Sequence, residues 1–181
     1  IHRLIHELCE LGDDPYGWNT RLLEFITARI PDVRVAMACV IRSKNLDPAS
    51  LEVPLSVTLS DNDVWDRYFN LGDVRDQPNT PWMMARLGTD FAVLRCDMVD
   101  DESWYASPFY SRVCVPGGWD DMMASQIGLA SMDTIHGISF GRKQGLRFTR
   151  DELELVQAIH AELAYLWRKP EVVEIDSLPR R

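Results

Sequence analysis

The run VRVAMACVIR, residues 33–42, constrains the fold more than any other stretch of the chain. It is rich in β-branched residues, and at its centre both alternating sets of positions are apolar. A strand with one face in water would alternate apolar and polar side chains instead. The run therefore predicts a central strand of a sheet that is packed on two sides.

The stretch VPLSVTL, residues 53–59, does alternate. It predicts a half-buried antiparallel strand with Ser56 and Thr58 facing outward. The side chains expected to face the core are Val53, Leu55, Val57 and Leu59.

Three further runs are typical of strands. MMASQIGLA, near 122–130, and TIHGISFGR, near 134–142, are joined by Ser131, Met132 and Asp133 and predict a hairpin. FAVLRCDM, residues 91–98, is a possible additional strand.

Helical periodicity appears at both ends of the chain. Residues 1–12 and about Trp18 to Ile30 have apolar side chains at helical spacing. FTRDEL predicts the start of a terminal helix, with Thr149 as N-cap, Glu152 completing a capping box and Phe148 packing on Leu153. Its expected buried stripe is Leu153, Val156, His160, Leu163 and Trp167. The order of elements predicts an α+β domain with a largely antiparallel sheet.

Between about residues 61 and 118 the pattern becomes irregular. Short helical pieces are expected near 64–70 and 80–87, separated by turns rich in Asn, Asp, Pro and Gly. In SPFYSRV, Ser107 is the expected N-cap and Pro108 the first helical residue. We treat this segment as an insertion over the sheet.

Composition excludes several classes of function. The 181 residues suit one domain of 1–170 followed by a linker at 171–181, and the net charge of -9 opposes direct binding of nucleic acid. No apolar run is long enough to span a bilayer, so a cytoplasmic location without membrane contact is expected. GxxxxGK[ST] and GxGxxG are absent, and we expect no cofactor.

Two segments resemble a known family. FGRKQGLRFTRDELELVQAIHAELAYLWRK and DMVDDESWYASPFYSRVCVPGGWDD are similar to GAF-like sensor domains that precede a LuxR-type helix-turn-helix, and SLPRR resembles the entry to such a DNA-binding domain. The resemblance implies a GAF-like sheet with helices on one side and a loop-rich lid over a small-molecule pocket on the other. It further implies a non-catalytic regulatory module, a homodimer, and DNA contact only through the further domain.

Aromatic and methionine side chains of the insertion and the following strand are candidates for the pocket wall, because they give large apolar contact area. The alternative is that they form a solid core with no cavity, in a domain that only dimerises. The candidate residues are Trp82, Met83, Phe91, Trp104, Tyr105, Phe109, Tyr110, Trp119 and Met122.

Other reactive side chains have simpler expected roles. Cys96 and Cys114 could serve a thiol-dependent small-molecule reductase, but nothing in the sequence places a base beside either thiol. The absence of a CxxC pair favours reduced, mostly buried cysteines over disulfides or a zinc site. His2, His6 and Cys9 share a helix face without an evident fourth metal ligand, so a partly exposed or dimer-facing helix is expected there. His136 and His160 are expected to be hydrogen-bonded core residues.

Overall fold

The structure is a computed structural model that describes residues 2–12, 14–47, 50–60, 77–129 and 133–167, without the side chains of Leu46, Leu166 and Trp167. The helices are α1 (His2–Glu10), α2 (Pro15–Thr27), α3 (Thr80–Met84), α4 (Arg95–Met98), α5 (Asp101–Tyr105), α6 (Val115–Gly117) and α7 (Arg150–Trp167). The strands are β1 (Val33–Ser43), β2 (Leu51–Ser60), β3 (Phe91–Leu94), β4 (Trp119–Gly128) and β5 (Thr134–Lys143). A 3₁₀ turn spans Lys44–Leu46, and a π-helical turn spans Tyr110–Cys114.

The described strands form one antiparallel sheet in the order β2-β1-β5-β4-β3. The predicted hairpin is confirmed as β4 and β5, with Met123 opposite Phe140. β1 lies between β2 and β5, so that Cys39 pairs with Ser56 on one side and Gly137 on the other. The α+β prediction with an antiparallel sheet is therefore confirmed.

Alternate residues of the strands serve two separate cores. Ala36 and Ala38 of β1 pack under α1, α2 and α7, on what we call the helix-covered face. Val35 and Met37 point the other way, into a cluster built around Trp104 and other aromatic residues, on what we call the aromatic face. The prediction from VRVAMACVIR that this strand is packed on both faces is confirmed.

The terminal helix begins as the capping box predicts. The Glu152 amide donates to Thr149 Oγ1 at 3.3 Å, and the Thr149 amide donates to Glu152 Oε2 at 2.8 Å. Leu153, Val156, His160 and Leu163 are all buried, as expected of the stripe. The helix is therefore fixed to the sheet by a local cap and a long apolar contact.

Two strand predictions need correction. FAVLRCDM is a strand only as far as Leu94, because the chain turns at Arg95 into α4 and the guanidinium reaches into the protein. Val53 is 45% exposed and not in the core, since the buried part of the edge strand β2 begins at Leu55. The helical piece predicted near 64–70, residues 131 and 132, and the linker at 171–181 lie outside the described residues.

Candidate functional site on the aromatic face

Three buried rings occupy the centre of the aromatic face. Trp104 of α5, Phe109 and Trp119 of β4 have ring centroids 5.7, 6.2 and 5.9 Å apart in pairs. Such distances are typical of rings in direct contact. We call α5 and the segment that follows it as far as Cys114 the lid. The triangle fills the space beneath this lid, and any ligand has to bind beside the three rings or displace one of them.

Local hydrogen bonds position this lid. Asp100 caps α5 by accepting from the Ser103 amide at 2.7 Å, and Ser107 Oγ accepts from the Tyr110 amide at 3.0 Å. The predicted cap at Ser107 is thus confirmed. The Trp104 indole N–H donates to the Asp120 carbonyl oxygen at 2.8 Å, which fixes the ring against β4.

The sheet leaves space for Trp119 at a glycine. A Cβ atom on Gly141 would lie 2.8 Å from both the Trp119 ring and the Val35 side chain. Real contacts of this kind are not that short, so glycine is required opposite the ring. The aromatic cluster is therefore built into the pairing of β4 with β5 as well as into the lid.

The remaining candidates lie around this triangle. Trp82 and Phe91 meet edge to face at 5.2 Å, and Tyr105 and Tyr110 do so at 4.9 Å. Tyr105 is exposed at the rim, and Tyr110 is half-buried. Burial raises the pKa of both phenols, and the negative charge of Asp120 raises it further. Both tyrosines are therefore neutral hydrogen-bonding groups at ordinary pH.

Met83 and Met122 are joined to the cluster through an amide that the sequence did not single out. Asn79 Nδ2 lies 3.3 Å from the Met83 sulfur and 3.4 Å from the Met122 sulfur. Met122 itself is buried in the aromatic core. All nine candidate residues thus lie in or against one contiguous cluster.

A buried arginine lies beneath the lid. Arg95 is fully buried, and its guanidinium contacts Asp121 Oδ1 at 3.0 Å and Asp101 Oδ1 at 2.6 Å. Burial acts to lower the pKa of Arg95, but the two carboxylates outweigh burial and the pKa is raised. The charge is therefore permanent, and it holds α5 against the first residues of β4.

The same carboxylates continue to the start of α7. Arg147 forms two parallel hydrogen bonds with Asp101, at 2.8 and 3.0 Å, and the Phe148 amide donates to Asp121 Oδ2 at 2.9 Å. Arg150, the first residue of α7, pairs with Asp97 of α4 at 2.7 Å. We call Arg95, Asp97, Asp101, Asp121, Arg147 and Arg150 the ionic bridge. It joins the lid to the terminal helix.

Sequence reasoning missed the ionic bridge because its partners are far apart in the chain. Asp120 and Asp121 both lie within β4, where neither follows the apolar pattern of a strand. Arg95 was assigned to a strand. A charged side chain in an otherwise apolar run was the one available signal.

On the helix-covered face, a chain of buried hydrogen bonds contains both core histidines. Ser125 Oγ lies 2.7 Å from His160 Nδ1, and His160 Nε2 lies 2.8 Å from His136 Nδ1. His136 Nε2 lies 2.7 Å from the Asn19 oxygen. Burial lowers the pKa of His136 well below its usual value and that of His160 to about 3. The predicted core role of both histidines is confirmed.

The cysteine prediction is wrong for half of the residues, because Cys9 and Cys96 are exposed. Cys39 and Cys114 are buried, and burial raises the pKa of both thiols, that of Cys39 to about 12. His2 and His6 are exposed, and among the described residues no group of three or more His, Cys, Asp or Glu side chains is placed to hold a metal ion. Within the same residues, no helix is both long and apolar enough to cross a membrane.

Solved structures share this fold. The ligand-binding domain of VqsR from Pseudomonas aeruginosa matches with a TM-score of 0.65 at 16% identity, over 93% of this chain and 94% of that one. CepR2 from Burkholderia cenocepacia, an N-acylhomoserine lactone-dependent LuxR-family transcription factor, matches with a TM-score of 0.61 at 14% identity, over 93% of each chain. Escherichia coli SdiA matches with a TM-score of 0.54 at 14% identity, over 86% of this chain and 63% of that one.

No protein-family model matches the chain, and no curated protein matches it. The structural matches show that the chain has the α+β fold of these regulator domains. None of the three is named as a GAF domain, so the GAF part of the resemblance stays a prediction.

Proposed function

We propose that this chain is the ligand-sensing domain of a bacterial LuxR-type transcriptional regulator, and that a small molecule binds on the aromatic face. The observation that carries the proposal is the aromatic cluster on the sheet face opposite the long helices, which contains seven of the nine candidate residues. The other two lie at its edge, Tyr105 against Tyr110 and Met83 against Asn79. The fold shared with the VqsR ligand-binding domain and with CepR2 supports the same function. The ligand is a neutral or weakly polar amphiphile, since the face is apolar with few polar groups.

The ionic bridge supports a route for the signal. A ligand that shifts α5 also shifts Asp101, and Asp101 holds Arg147, three residues before the start of α7. The orientation of α7 then changes relative to the sheet, and with it that of a helix-turn-helix domain further along the chain. Sequencing the gene beyond the codon for Arg181 tests whether a helix-turn-helix domain follows. A following domain of any other class contradicts it.

Ligand binding is tested by a thermal-shift screen of N-acylhomoserine lactones with short to long acyl chains and other neutral amphiphiles. A compound present at about a hundred times its Kd adds about 2.7 kcal/mol to the free energy of unfolding, a rise of roughly 5–10 °C in Tm for a domain of this size. The control is the variant Leu22→Ala, whose side chain lies on the helix-covered face. This variant has a lower Tm, but the ligand raises its Tm by the same amount as in the wild-type chain.

The alternatives make different predictions. A dimerisation module without a pocket shows no shift with any compound, and its Tm depends on protein concentration. A thiol-dependent reductase needs a reactive thiolate, and burial raises the pKa of the Cys114 thiol, which opposes this. We propose a cytoplasmic homodimer, in which the domain itself is not a catalyst.

A further inference from the structure

Asn79 stands at the N-terminus of α3 and does not cap it. An asparagine at this position ordinarily accepts a hydrogen bond from an amide of the first helical turn through its side-chain oxygen. Here no such bond forms, and the side chain is fully buried. The Asn79 side chain therefore makes no capping hydrogen bond to α3, and its amide group faces the aromatic cluster instead.

Three methionine sulfurs fix the orientation of this amide. Asn79 Nδ2 lies 3.3 Å from the Met83 sulfur, 3.4 Å from that of Met122 and 3.9 Å from that of Met98. Thioether sulfur accepts weak hydrogen bonds and cannot donate. The donor nitrogen therefore belongs among the sulfurs, and the oxygen has to point away from them.

The oxygen is left without a partner. Asn79 Oδ1 is buried and accepts no hydrogen bond from any described residue. An unsatisfied buried acceptor is costly, and native proteins retain few of them. A group that donates to this atom would recover the loss.

We propose that Asn79 is the polar contact of the ligand site and that its side-chain oxygen accepts a hydrogen bond from an N–H or O–H group of the small molecule. This rests on the proposed function and adds a chemical requirement. The ligand carries a hydrogen-bond donor beside its apolar part. Amides and alcohols qualify, whereas esters and ethers of the same shape do not.

The surrounding side chains allow entry. Met83 and Met98 are only partly buried, whereas Met122 is in the core. Methionine is unbranched and repacks readily, so Met83 and Met98 can rotate aside and admit the donor to Asn79 without moving the sheet. The contact forms on binding, since the oxygen is enclosed in the structure without ligand.

The test compares N-butyldecanamide with butyl decanoate, which has the same length but no N–H, by quenching of intrinsic tryptophan fluorescence. The wild-type chain binds the amide about tenfold more tightly, the factor expected for one hydrogen bond to an otherwise unpaired acceptor. Asn79→Leu loses this preference, because no acceptor remains for the amide N–H. The control Leu22→Ala, on the helix-covered face, keeps the preference.

Stability supplies a second readout. Removing an unsatisfied acceptor with an apolar residue of similar shape is neutral or stabilising, so Asn79→Leu retains or raises Tm. A wild-type chain that binds amide and ester equally overturns the role of Asn79 and leaves the proposed function standing. A preference that survives in Asn79→Leu also overturns it. No binding of either probe, or of any compound in the thermal-shift screen, overturns both proposals.

Discussion

The two faces of the sheet treat their polar groups differently. On the helix-covered face, Asn19, Ser125, His136 and His160 form an unbroken chain of hydrogen bonds beneath α2 and α7. On the aromatic face, the Asn79 side-chain oxygen accepts no hydrogen bond from any residue that the structure describes. A satisfied buried network stabilises one arrangement, whereas an unsatisfied acceptor leaves free energy to be gained on binding.

The helices that cover the two faces differ as well. α7 packs on its face through a long apolar stripe, but α5 is a single short helix held by Trp104 and the ionic bridge. Several members of that bridge are exposed, including Arg147 and Asp101. Exposed ion pairs contribute little stability. The aromatic face can therefore rearrange while the helix-covered face stays intact, as a sensing domain requires.

The largest expected effect is that of Trp104→Ala. The ring is fully buried, so the variant loses about 3–5 kcal/mol in the free energy of unfolding measured by urea denaturation. Leu22→Ala, on the other face, loses about 2–5 kcal/mol. Only Trp104→Ala also changes affinity for a bound amphiphile. Equal affinity in both variants contradicts the division into two faces.

Arg95→Met has an effect nearly as large. It leaves the Asp121 carboxylate buried without its cation, which costs about 3–5 kcal/mol. The double variant Arg95→Met/Asp121→Asn recovers part of this loss, because the asparagine oxygen still accepts from Phe148. Additive losses in a double-mutant cycle would show that Arg95 and Asp121 do not act together.

The histidine pair makes stability depend on pH. Both native pKa values lie below the unfolded value of about 6.5, so between about pH 6.5 and 3 the unfolded chain binds more protons. The free energy of unfolding therefore falls as pH drops through this range, by up to about 1.4 kcal/mol per pH unit per histidine. His160→Gln reduces the slope measured between pH 6.5 and 5. His6→Gln, at an exposed site, leaves it unchanged.

The smallest effect is expected from Thr149→Ala. Loss of the N-cap costs about 1 kcal/mol at the start of α7. Its control is Thr20→Ala, which removes a solvent-exposed hydrogen bond from the hydroxyl to the Tyr16 carbonyl oxygen within α2 and should cost less. A larger loss for Thr20→Ala would show that the cap is not what fixes the beginning of α7.

Local patterns predicted the hairpin, the central strand and the capped helix because each depends on residues close in sequence. The sheet order and the ionic bridge could not be predicted from local patterns, since Arg95 and Asp121 meet only after folding. His136 and His160 were expected in the core, but their contact was not, because one lies on a strand and the other on a helix. Nothing local distinguishes Asn79 from an ordinary cap, so its inward turn was visible only in the structure.

Hydrogen–deuterium exchange of the chain with and without a bound amphiphile from the thermal-shift screen tests the central claim most directly. We predict added protection in α3, α5 and residues 144–152, with exchange in α1 and α2 unchanged. Protection confined to α1 and α2 would contradict a ligand site on the aromatic face.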